Sequence, residues 1–145
     1  MYKGTILRGI IFCSAMSVAA FAVSSWITSG IVQHAALEIS LYCAASAALA
    51  SAFNWFPIMS NGKESRNIGL VVGFASASAT FPIFGVLAIL NYIVVNMFDG
   101  SALNAELIGQ AVAGGIGFTL IAAILGSIFA FPIAIVLGFA VARNL

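Results

Sequence analysis

The chain has 145 residues, 63% of them hydrophobic and 6% charged, with a formal net charge of +1 and a mean hydropathy of +1.17. Those values exclude an ordinary soluble domain and a nucleic-acid-binding surface, and they are the values of a polytopic membrane protein. One histidine, four acids and neither a Cys-x-x-Cys nor a His-Glu-x-x-His motif leave no recognisable nucleophile, redox pair or protease zinc site, so neither catalysis nor a cofactor is expected.

Residues 9–37, 39–62, 67–98 and 107–142 are free of charge, and each block exceeds the roughly 20 residues that cross a hydrocarbon core. The blocks are apolar without alternation, so helices, not barrel strands, must satisfy their backbone. The expected fold is all-α: one polytopic membrane domain over 1–145, built as a four-helix bundle with spans near 7–29, 36–58, 67–98 and 104–142.

Span one follows Lys3 and Arg8 and ends before Gly30, a ready C-terminal cap. Ala20-Phe21-Ala22 has the look of a secretory cleavage site, but the apolar run continues to Ile27 and Ile31 and reads as a retained span. Cys13 follows the bulky Phe12, which argues against lipid attachment. Cys13 and Cys43 are expected near opposite membrane faces, on the order of 15–20 Å apart and out of disulfide range. Trp26 and Trp55 stand near span ends, as interfacial anchors do.

Helices in lipid associate through small residues that let backbones approach. Span two offers Ser40, Ala44, Ala48 and Ala52, and span three offers Gly69, Gly73 and Ala77. Span four has the most regular stripe, Gly126, Ala130, Ala134 and Gly138, which is expected to form the tightest contact, within the bundle or with another protomer.

Spans three and four are longer than one upright crossing requires and so must tilt, kink or protrude. All three prolines stand in the tripeptide Phe-Pro-Ile, at 56–58, 81–83 and 131–133. Pro82 and Pro132 lie roughly 24 and 16 Å from the basic anchors Arg66 and Arg143 and would release the carbonyls of Ser78 and Ile128, with Ser78, Thr80 and Ser127 as nearby donors. They are candidate hinges in a kinked or broken third and fourth helix; a static kink is the plainer alternative. Gly114-Gly115-Ile116-Gly117 either divides the last block into an outer segment, 103–113, and a span, 116–142, or lies within one long tilted helix.

Lys3, Arg8, Lys63, Arg66 and Arg143 all fall on one side of such a bundle. Basic residues in short loops stay in the cytoplasm, so both termini are expected inside, in a cell membrane of the bacterial cytoplasmic type. His34, Glu38, Asp99 and Glu106 gather on the other side. They form a candidate cation or pH-sensing site, against the simpler reading that Glu38 and Glu106 favour the positive ends of their helices.

Two functions fit. One is a non-catalytic multi-pass subunit that packs in a larger membrane complex or homo-oligomer. The other is a small oligomeric transporter or channel with a path near Pro82 and Pro132. A polar cavity between helices three and four would favour transport, and an exposed small-residue stripe would favour a subunit. The expected partners are the lipid bilayer and other membrane proteins or a second copy, with no nucleic acid.

Overall fold

The computed structural model describes residues 3–29, 36–59 and 66–144. Four helices fill the four charge-free blocks: α1 (Lys3–Ser29), α2 (Ala36–Met59), α3 (Arg66–Phe98) and α4 (Ala105–Asn144). Each is long and apolar enough to cross a membrane, which is the build of a multi-pass membrane protein. Neighbours in the chain are neighbours in space, α4 returns to α1, and the diagonal pairs stay apart. The seam between α3 and α4 is the most extensive and that between α1 and α4 the slimmest. The starts of α1 and α3 and the ends of α2 and α4 therefore share one end of the bundle, here the basic end. Glu38, Asp99 and Glu106 mark the acidic end.

The helices differ in length for a reason visible at the acidic end. With 33 and 40 residues, α3 and α4 run about 50 and 60 Å, against about 40 and 36 Å for the 27 residues of α1 and the 24 of α2. Asn91 Nδ2 donates to Glu38 Oε1 at 3.1 Å, so this part of α3 is level with the first turn of α2. The remaining turns of α3, and the start of α4 that pairs with them, overhang the shorter helices.

The overhang closes on a tight cap. Gly100, at φ 90°, lets its own N–H donate to Met97 O and the Ser101 N–H donate to Asn96 O, a Schellman arrangement that satisfies the last carbonyls of α3. Asn104 then caps α4, its Oδ1 accepting from Leu107 N at 2.8 Å.

At Gly114-Gly115-Ile116-Gly117, α4 continues as one helix, so of the two alternatives there the undivided helix forms. Pro82 and Pro132 likewise lie inside continuous helices. Pro57, Pro82 and Pro132 are all exposed on the outside of the bundle. The hydroxyls near the released carbonyls bond elsewhere: Ser78 donates to Phe74 O, Thr80 to Ser76 O and Ser127 to Ile124 O. The expectation that they serve the carbonyls of Ser78 and Ile128 is therefore corrected. A serine or threonine in a helix reaches back three or four residues, toward its own preceding turn.

Small residues decide which faces meet. A Cβ on Gly69 or Gly138 would strike the other's main-chain carbonyl, and one on Gly73 would strike the carbonyl of Ala134. The α3–α4 seam is thus backbone against backbone. Phe81 and Phe131, which precede Pro82 and Pro132, lie in the same seam with ring centroids 6.4 Å apart. On α2 the buried small residues are Ser40, Ser46, Ala47, Ala50 and Ser51; of the span-two stripe Ser40 is thus buried, while Ala44, Ala48 and Ala52 are only partly covered.

Trp55 departs from its expected place at the interface. It is 1% exposed, tilted against Phe12 with centroids 5.0 Å apart, and its Nε1 donates to Thr5 O at 3.1 Å. Gly9 makes the room, since a Cβ there would meet the indole at 2.7 Å. Trp26, 70% exposed, remains on the outside and meets Phe129 of α4 edge-on at 5.9 Å.

Candidate functional site

Three features compete for function: the acidic end, the bundle interior and an uncovered face of α4. At the acidic end, polar side chains link successive helices. Ser25 of α1 donates to Ser40 of α2 at 2.9 Å. Asn91 of α3 reaches back to Glu38, while its neighbour Tyr92 donates its hydroxyl to Gln110 Oε1 of α4 at 3.1 Å. Gln110 in turn donates to Glu106 Oε1 at 3.3 Å, across one turn of the same helix.

Of the four residues proposed from sequence as a cation or pH site, Glu38 and Glu106 are thus each engaged by an amide. Asp99 stands exposed in the turn after α3. His34 lies outside the described residues, as do Gly30, Lys63 and Glu64. Among the described residues no three His, Cys, Asp or Glu side chains gather as metal ligands would.

Between the helices lies a partly open cavity of about 330 Å³, with Phe118, Ile121 and Leu125 of its wall exposed at the surface. All four helices line it, α1 and α4 most of all, so it lies along the seam that packs least. Its wall is apolar in effect as well as in composition. The hydroxyls of Ser24, Thr28 and Thr80 on that wall donate to the carbonyls of Ala20, Ser24 and Ser76 of their own helices, and the wall exposes almost no polar surface. Water needs two to four polar partners to occupy such a site.

The proposed hinges border this cavity without facing it. Phe81 and Ile133, next to Pro82 and Pro132, line the wall, but both prolines point outward. The four residues of the span-four stripe are placed on the inner side. Ala134 and Gly138 lie against α3, and Gly126 lies against Phe81, whose ring is 3.1 Å from the place a Cβ would take. Gly126 and Ala130 also form part of the cavity wall.

The uncovered face is higher on α4. Nothing lies within 4 Å of a Cβ built on Gly109, Gly114 or Gly117. Gly109 and Ala113 are exposed and Gly117 is partly so, one turn apart each. At the same end of the hairpin Phe98 is 86% exposed and Leu103 56%, and Ile116, next to Gly117, is 55% exposed.

No family model matches the chain, and neither a curated protein nor a solved structure matches it significantly. Geometry alone must carry the functional reading.

Proposed function

We propose that the protein is a non-catalytic membrane subunit which associates, through α4, with another membrane protein or with a second copy of itself. The observation that carries this reading is the Gly109, Ala113, Gly117 stripe with open space over its glycines. Residues of that size at four-residue spacing are what close helix association in lipid uses, and within this chain nothing uses them. The other small stripe, at Ala134 and Gly138, is already filled by α3.

In this reading the bundle has both termini in the cytoplasm of a bacterial-type cell, because its basic residues share one end. The stripe then begins at Gly109, level with the first turn of α2, and runs inward through Ala113 to Gly117 along the outer half of the membrane. A transport path has weaker support: the interior cavity is apolar and Pro82 and Pro132 turn away from it.

Native mass spectrometry after mild extraction tests the proposal. The expected result is a complex of defined stoichiometry that Gly109→Leu and Gly117→Leu each dissociate without unfolding the bundle. A chain that stays monomeric at every protein concentration, in membrane extracts as well as after purification, would sink the subunit reading.

A further inference from the structure

We infer that the interior cavity is a binding slot for a single acyl chain of a bilayer phospholipid, entered through the seam between α1 and α4. This goes beyond the subunit reading and needs only that the four helices span a bilayer.

Shape is the first argument. The cavity wall runs along α1 from Met16 to Thr28 and along α4 from Ile133 to Phe118. At 1.5 Å per residue those stretches measure about 18 and 22 Å. Spread over about 18 Å, the 330 Å³ volume makes a long, narrow slot, the form an extended hydrocarbon chain takes. A compact ligand would leave most of so narrow a slot unfilled.

Closure is the second. At the basic-end side the slot stops on Met16, and Phe12 and Trp55 are packed immediately beneath, 0% and 1% exposed. At the other side it reaches Thr28 and Ile39, within a turn of where α1 ends and α2 begins. A chain threaded from the leaflet at the acidic end would thus have its headgroup at that surface and its methyl end against Met16.

Chemistry is the third. The wall hydroxyls give their protons to their own helices and the wall is almost wholly apolar, so the slot offers little to a polar solute. It does offer continuous hydrocarbon contact, from Ala19, Val23, Phe84, Ile121 and Leu125. Its lateral wall is the slimmest seam of the bundle, and that seam faces the lipid that would supply the occupant.

The test uses the full chain in phosphatidylcholine vesicles in which one acyl chain carries a photoactivatable diazirine, with adducts mapped by mass spectrometry. Phe53 and Leu90 face outward, 69% and 52% exposed, and report ordinary lipid contact. Phe84, 6% exposed, lines the slot and is shielded from ordinary lipid contact by the bundle. The expected result is label on Phe84 as well as on Phe53 and Leu90. Ala122→Phe and Ala20→Leu narrow the slot from opposite walls. Each should lower the Phe84 label by about tenfold, the worth of excluding roughly two methylenes, and leave the outer label unchanged. Should one variant fail to fold, the other decides. Label confined to outward residues overturns the inference, and so does a Phe84 label that survives in the folded variants undiminished.

Discussion

Gly69 and Gly138 meet across the α3–α4 seam with no side chain between them, each occupying the space that a Cβ on the other would need. In lipid there is no hydrophobic drive to bring two helices together, so close packing of this kind must supply the attraction. Ala134 repeats the relationship one turn away against Gly73, and is itself 0% exposed. Gly138→Leu and Ala134→Leu are each expected to destabilise the bundle by about 1–3 kcal/mol or more, the usual range for overpacking. Unfolding by sodium dodecyl sulfate, followed by far-ultraviolet circular dichroism, measures it. Gly109→Leu, which meets open space, should unfold at the same detergent fraction as the parent chain.

The two tryptophans should respond oppositely to the membrane. Trp26 is 70% exposed and Trp55 1%. Brominated lipid is expected to quench Trp26 strongly, as seen in a Trp55→Phe chain, and to leave the Trp55 emission of a Trp26→Phe chain almost unchanged. Trp55→Phe removes the Nε1 bond to Thr5 O but keeps a ring against Phe12, so its cost should be about 1 kcal/mol. Trp55→Ala opens the core and should cost about 3–5 kcal/mol. Equal quenching of both indoles would contradict the buried placement.

Much of this architecture was legible in the sequence, because charge and turn residues punctuate it. The four helices occupy the four uncharged blocks, and the excess length of the last two is real. What could not be read is which face of each helix points inward. In a soluble helix an apolar stripe marks the core, whereas here lipid and core are equally apolar and the stripe vanishes. Hence α2 buries Ser40 of the expected Ser40, Ala44, Ala48, Ala52 series, and then Ser46, Ala47, Ala50 and Ser51 in place of the three alanines. Trp55 illustrates the same limit: its position near a helix end suggests an anchor, and only Gly9 on another helix reveals the pocket that takes it in. The cavity has no signature of its own, since it arises where α1 and α4 fail to close. The Phe-Pro-Ile tripeptides do become intelligible in α3 and α4: Phe81 and Phe131 fill a shared seam while the following proline faces out.

That outward placement makes a prediction about the prolines. If they serve only as outward-facing kinks, then replacing them restores an N–H to the helix ladder and removes no interior contact. Pro82→Ala and Pro132→Ala should therefore leave the bundle as stable as before or more so, by up to about 3 kcal/mol, the penalty of a proline in a helix interior. A midpoint of detergent unfolding that falls clearly in either variant would show that the proline geometry supports the native packing.

The polar links at the acidic end set a last expectation, and their exposure decides its size. Asn91 to Glu38 and Tyr92 to Gln110 are both exposed pairs, each joining helices already held along a long apolar seam. Hydrogen bonds between membrane helices average about 0.6 kcal/mol, because the separated helices find other partners. Asn91→Leu and Tyr92→Phe should accordingly each lower stability by about that amount and leave helix content unchanged. The effects should add in the double variant, since one link joins α2 to α3 and the other α3 to α4, with no shared acceptor. A loss several times larger, or strong non-additivity, would mean that Asn91 and Tyr92 act together as a single clasp fixing the α3–α4 hairpin over the shorter helices.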